Sequence, residues 1–348
     1  NHNKDEFVII GFYYGDIKKD KTHQRIKKNF NKFFYVNNLD DDEIMKLSLE
    51  NKIDIAIYRA GLTINARSSI FSQKVAPIQV NFLGYPGTTG QKGIDYIVSD
   101  RFVIPEKDEK FYSENIIFLT NCYYPRDNSR KISDKKFFRE KFKIPVKSFV
   151  FCSFNSAYKI TKYEFKIWME LLVQVKNSVL LLLASDNKMK LNLIKEAKKA
   201  DIESKRLIFL EKINLDDHLS RHSLADLFLD SFNCNAHTSA VDALWAGLPI
   251  LTKAGNSFAS RICGSLMNYF DMSELVVDSE EQYLNKAIDL ATDRKKYKDI
   301  KDRIIKAKKS GKYFDTKKYT LYLEKAYKKI HELRTTENKF ENIYIKDI

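Results

Sequence analysis

The stretch Cys234-Asn235-Ala236-His237-Thr238-Ser239 sets an imidazole and two hydroxyls directly before a helical apolar pattern, Val241, Leu244 and Trp245, that stops at Gly247. It follows the short apolar run Leu227 to Leu229. A helix starting here, with Thr238 or Ser239 as N-cap, would aim unpaired N–H groups and the positive end of its dipole at a ligand, which suits a diphosphate. The same pattern also describes Ser239 capping an interior helix, with Asp242 completing a capping box. A second segment, Phe154-Asn155-Ser156-Ala157-Tyr158-Lys159-Ile160, begins at the end of another apolar run. There Lys159 could neutralise charge on a departing phosphate; taken alone, a lysine after a strand is also an ordinary solvated loop residue.

Two further segments carry less specific signals. In Asp216-Asp217-His218-Leu219-Ser220-Arg221-His222 the two imidazoles stand four apart, the spacing of a zinc pair. No third ligand is evident, and the paired aspartates suit the first turn of a helix. His218 with Arg221 reads instead as a nucleobase platform. Leu83-Gly84-Tyr85-Pro86-Gly87-Thr88-Thr89-Gly90 spaces its glycines G-x-x-G-x-x-G, which matches neither the dinucleotide fingerprint nor a Walker A loop. Gly84, Pro86, Gly87 and Thr88 are the positions expected against a ligand by close backbone approach; a tight turn with no ligand fits the residues equally. The acidic run Asp40 to Glu43 sits at a helix start and is not read as a metal site.

Those loops need strands to carry them, and the chain supplies the pattern. Apolar runs of four to eight residues alternate with longer amphipathic stretches, the mark of a parallel sheet wrapped by helices. Thr161 and Glu164 form a capping box ahead of Phe165, Trp168, Met169, Leu171 and Leu172. The polar stretch Pro125 to Lys147 separates two strand-rich halves. Each half is expected to be a doubly wound unit, with ligands beyond the carboxyl ends of the strands in a cleft between them. Tyr319 to Arg334 reads as an amphipathic helix followed by a frayed tail. The domain division is 1–130, 131–318 and 319–348.

The 348 residues carry 60 Lys and Arg against 46 Asp and Glu, a net charge of +14, which favours a polyanionic partner. From Ala291 to Ile348 there are 18 basic and 9 acidic residues, so +9 of the +14 lies in the last sixth of the chain, away from the segments above. No aromatic strip accompanies those bases, and interleaved acids such as Asp315 and Glu324 mark a solvated helix face, so a nucleic-acid partner is not expected. The longest aliphatic run, Val179 to Leu183, is far shorter than a membrane span of ~20 residues. Four dispersed cysteines without a C-x-x-C pair suit reduced thiols of a cytoplasmic protein.

Taken together, the segments resemble the catalytic region of the O-linked N-acetylglucosamine transferase and SPINDLY class of glycosyltransferases, from about Phe7 to Lys308. The resemblance is carried by Ala76-Pro77-Ile78-Gln79, Leu83 to Gly90, Asp95-Tyr96, Phe154-Asn155, Tyr158-Lys159-Ile160, Leu224-Ala225-Asp226, Cys234 to Gly247 and Ala259-Ser260-Arg261, in that order. It implies an α/β GT-B fold, two Rossmann-like domains facing a cleft, and inverting, metal-independent transfer of N-acetylglucosamine from UDP-GlcNAc to Ser or Thr of proteins. The nucleotide sugar would be a co-substrate, with no other cofactor, and a protein or peptide the acceptor.

The resemblance assigns Lys159 to the donor diphosphate, His237, Thr238 and Ser239 to phosphates, and Asp242 to the ribose hydroxyls. His218 would stack on the base with Arg221 near its edge. Three positions depart from the family's usual pattern: Ser156 replaces an amide, Leu215 a lysine, and Leu62 a polar or aromatic residue. Donor alternatives are GDP-fucose or a UDP-hexose, and the third possibility is an inactive nucleotide-sugar-binding fragment. Helical repeats, and the N-terminal domain's first strand and helix with a histidine, are expected upstream of Asn1.

Overall fold

The computed structural model describes residues 1–16, 20–184 and 186–347. The chain divides into two compact units, Asn1–Arg101 with Pro105–Tyr123 and Thr316–Ile348, and Phe102–Ile104 with Tyr124–Asp315.

In the first unit, Ile10–Tyr13 (β1) and Lys32–Tyr35 (β2) pair in parallel. Ile55–Tyr58 (β3), Ile78–Asn81 (β4), Tyr96–Ser99 (β5) and Asn115–Phe118 (β6) form a second parallel sheet in chain order. β4 and β5 are buried along their whole length, as apolar strands covered on both faces should be. β2 escapes the sequence pattern because it is half-exposed and flanked by the turn-type residues Asn29, Asn31, Asn37 and Asn38. At Asp40 to Glu43 the structure has a helix N-terminus closed by a capping box.

The second unit carries Phe149–Ser153 (β7), Ser178–Leu183 (β8), Leu207–Leu210 (β9), Leu227–Leu229 (β10), Ile250–Lys253 (β11) and Val276–Val277 (β12). They lie in the order β9-β8-β7-β10-β11-β12, all parallel. Counted along the unit this is the 3-2-1-4-5-6 order of a doubly wound nucleotide-binding sheet. The strand order, not the strand direction, reverses between β7 and β10, so the loops leaving these two strands flank the switch point where such sheets bind ligands. The helix Lys162–Gln174 follows β7, starts at the Thr161–Glu164 capping box, and buries Phe165, Trp168, Leu171 and Leu172. Glu164 also accepts a hydrogen bond from the Phe232 N–H (2.9 Å), tying this helix to the loop after β10.

The helix Thr316–Thr336 buries Tyr319, Tyr322, Leu323, Ala326, Ile330 and Leu333 and clusters with the first unit. Glu324 is not on a solvated face: it is buried, accepting from the Asn3 backbone N–H at 2.6 Å and meeting the His2 ring at 3.2 Å. The expected frayed tail is also corrected. Ile343–Tyr344 (β13) pairs in parallel with β6, and Ile343 and Ile345 are buried, because two isoleucines at alternate positions match the edge of an apolar sheet. Among the described residues no helix is long and apolar enough to cross a membrane.

Candidate functional site

In the second unit the two loops at the switch point are built around one carboxylate. Asp230 directly follows β10 and is 0% exposed. Its Oδ1 accepts from the N–H groups of Ser231 (2.8 Å) and Ala236 (2.6 Å) and from the Asn155 amide (3.1 Å), while Oδ2 accepts from the Thr252 hydroxyl (2.7 Å). The loop 231–236 is therefore pinned at both ends, and Asn155 joins it to the loop after β7. Burial raises the Asp230 carboxyl above its ordinary range, opposed by the Thr252 and Ala236 hydrogen bonds and by the Lys159 charge.

Lys159 ends a short turn after β7, and its Nζ donates to the Asn235 carbonyl at 2.7 Å. The ammonium is thus held beside His237. Burial, and next the Lys159 charge, push the His237 imidazole down to about 3, so the ring is neutral. Its ring donates to the Ala259 backbone, and Nε2 has no partner.

The helix spans Thr238–Ala246, and its N-cap is His237 rather than Thr238 or Ser239. The backbone decides this: the His237 carbonyl accepts from the N–H groups of Ala240 (3.1 Å) and Val241 (3.2 Å). The expected Ser239–Asp242 capping box is accordingly absent, and no side chain caps this N-terminus. At the other end Gly247 closes the helix at φ +81°, with Leu248 N–H bonding back to the Ala243 carbonyl. The Thr238 hydroxyl meets the Tyr124 hydroxyl at 2.8 Å, and Asp242 pairs with Arg130.

The helix Leu215–Arg221, capped by Asn214, supplies the remaining expected residues. His218 packs against Phe154, the residue that opens the loop after β7, with ring centroids 5.4 Å apart. Its Nδ1 accepts from Arg221 Nε at 2.9 Å, which places the ring proton on Nε2. Burial, then the Arg221 charge, hold His218 down to about 4. Arg221, expected near a base edge, is buried, stacked over Phe154 and donating to the Glu211 carbonyl. It orients His218. The His222 ring donates through Nδ1 to the His218 carbonyl at 2.7 Å, and its Nε2 has no partner among the described residues. Among the described residues no group of three or more His, Cys, Asp or Glu is placed to hold a metal ion.

The glycine loop belongs to the first unit, after β4. A Cβ at Gly84 would lie 1.6 Å from the Arg59 carbonyl oxygen, so the backbone contact admits glycine alone. Leu83 before it takes φ +83°. The Thr88 hydroxyl, expected toward a ligand, bonds Glu114, as do the Thr89 N–H and hydroxyl, both at 2.8 Å. Asn81 holds the Gly87 carbonyl at 3.0 Å; no side-chain bond defines a role for Pro86.

The glycosyl transferase family 41 model matches residues 1–137 and 135–323. The chain belongs to glycosyl transferase family 41. It is 33% identical over 338 residues to a probable UDP-N-acetylglucosamine–peptide N-acetylglucosaminyltransferase, SEC, of Arabidopsis thaliana, covering 95% of this chain and 35% of that protein. It is 27% identical over 328 residues to a probable enzyme of the same description, SPINDLY, of Hordeum vulgare, covering 92% of this chain and 34% of the relative. The chain thus spans about a third of the length of these curated relatives. Among solved structures it is similar to a mutant Thermobaculum terrenum O-GlcNAc transferase, with a TM-score of 0.85 at 24% identity over 94% of this chain and 62% of that one. The fold is the α/β GT-B fold of glycosyltransferases.

Within this family 41 chain, sequence reasoning missed three groups. Asp230 was legible in principle, as an acid at the carboxyl end of an apolar strand. Tyr124 and Arg130 carried no signal, because they lie in or beside a stretch that reads as polar linker.

Proposed function

We propose that this chain is the transferase region of an enzyme that moves N-acetylglucosamine from UDP-GlcNAc to Ser or Thr hydroxyls of proteins, with inversion at the anomeric carbon. The single observation that carries the reading is the uncapped N-terminus of the helix Thr238–Ala246, with the Lys159 ammonium held at its entrance by the Asn235 carbonyl. Family membership and the names of the plant relatives support the donor and acceptor.

In this reading the acceptor oxygen attacks the anomeric carbon as the bond to the donor's β-phosphate oxygen breaks, releasing UDP, and the hydroxyl proton passes to the phosphate oxygens of the departing nucleotide or to water. Negative charge grows on the leaving diphosphate. Lys159, the free N–H groups of Thr238 and Ser239 and their hydroxyls meet that charge in place, without reorganisation during the step. His237 is neutral and adds no charge to the site, and its unpartnered Nε2 is an acceptor suited to a hydroxyl rather than to the ionised phosphates. His218 offers a neutral ring face to the base, and Asp242 bonds the ribose hydroxyls. Because the chain itself supplies the leaving-group stabilisation, transfer proceeds without an added divalent cation. The four cysteines are free, in keeping with a cytoplasmic enzyme.

The test is transfer from UDP-GlcNAc to a Ser/Thr peptide, in EDTA, by the unaltered chain and by Lys159→Ala. Loss of one such stabilising donor lowers kcat on the order of 10²–10³-fold, with the circular dichroism spectrum unchanged. Turnover by Lys159→Ala near that of the unaltered chain would overturn the role given to this lysine.

A further inference from the structure

Arg130 lies in the polar stretch Pro125 to Lys147 that reads as a linker and Tyr124 directly precedes it, yet both side chains end on the proposed phosphate helix. Tyr124 meets Thr238 through its hydroxyl, and Arg130 pairs with Asp242. Positions 238 and 242 are one turn apart and share a helix face, so the segment lies along that face from its first residue. The ion pair is largely withdrawn from water: the Arg130 side chain is 16% exposed and that of Asp242 8%. A buried carboxylate without its partner is costly, which fixes the pair as a unit. Arg130 engages Asp242 through Oδ1, and Oδ2 takes no hydrogen bond among the described residues. Asp127 and Tyr124 also face the Arg130 guanidinium, and burial draws Arg130 below its ordinary range.

We propose that Arg130 is a positioning residue of the nucleotide site: by anchoring Asp242 through Oδ1, it turns Oδ2 toward the ribose 2′-hydroxyl and makes the site prefer a ribonucleotide over its 2′-deoxy counterpart. This rests on the nucleotide-sugar reading above. An unpaired, freely rotating carboxylate would bond the 2′-hydroxyl less well, whereas the phosphate contacts, made by other residues, would stay.

Calorimetric titration with UDP and with 2′-deoxy-UDP tests it on the unaltered chain, Arg130→Gln, Arg130→Lys and Asp242→Asn. The unaltered chain should prefer UDP on the order of tenfold, the scale of one hydrogen bond to a charged group. Arg130→Gln should weaken UDP by about that factor, leave 2′-deoxy-UDP nearly unchanged, and so level the two ligands. Arg130→Lys, which keeps the charge, should restore part of the preference, and Asp242→Asn should erase it. Equal weakening of both ligands by Arg130→Gln, or no change in either, would overturn the proposal. Should Arg130→Gln fail to fold, Arg130→Lys and Asp242→Asn decide: a preference retained in Asp242→Asn would overturn it. No UDP binding by the unaltered chain would instead overturn the nucleotide reading, and this inference with it.

Discussion

The loop after β4 in the first unit and the loop after β10 in the second are each organised by one buried carboxylate, but they leave different groups open. Glu114, 4% exposed, takes up the Thr88 and Thr89 hydroxyls together with the Thr89 N–H. The polar groups that made this loop look like a ligand site are thereby engaged within the protein. Asp230 fastens only the ends of its loop, through Ser231 and Ala236, and stops short of the helix that follows. The helix Thr238–Ala246 is left without a side-chain cap, whereas the neighbouring helix Lys162–Gln174 begins with a complete capping box. A helix end closed by its own side chains contributes to stability; one left open beside a lysine can bind an anion.

The largest expected effect comes from removing the carboxylate that shapes the open loop. Asp230→Ala strands two backbone N–H groups, the Asn155 amide and the Thr252 hydroxyl in a fully buried place, and should lower the stability seen in denaturant unfolding by about 3–5 kcal/mol. UDP binding should fall with it, since Lys159 and the helix N-terminus lose their shared anchor. Glu114→Gln sharpens the contrast from the other side. Glutamine can still accept from Thr89 and donate to Thr88, so the cost should be about 1 kcal/mol in the same unfolding measurement, with UDP affinity unchanged. A large loss of UDP binding in Glu114→Gln would break the distinction between the two loops.

How much of this was legible in the sequence depended on whether the signal was local. The apolar runs marked most strands because parallel sheets bury both faces, and the Thr161–Glu164 box and Gly247 marked a helix start and a helix stop by rules that act within a few residues. β2 and β13 were missed: each is short, half-exposed and set among polar residues, so its pairing comes from tertiary contact. The site followed the same division. Lys159, His218 and His237 stood out by type and position, but the N-cap shifted by one residue because the backbone at His237, not the hydroxyl chemistry of Thr238 and Ser239, sets where the helix begins. Arg221 was also seen, and the fold adds what the sequence did not carry, its contacts with Phe154, the Glu211 carbonyl and His218. Arg130 and Tyr124 could not be seen at all, because their partners lie more than a hundred residues away along the chain.

The central claim is that the open helix end and Lys159 together hold a nucleotide diphosphate. Titration of the chain with UDP, followed by calorimetry beside Lys159→Ala, tests it most directly. The account predicts saturable binding at a single site, weakened on the order of tenfold or more by loss of the ammonium. Absence of saturable binding, or equal affinity in Lys159→Ala, would contradict it.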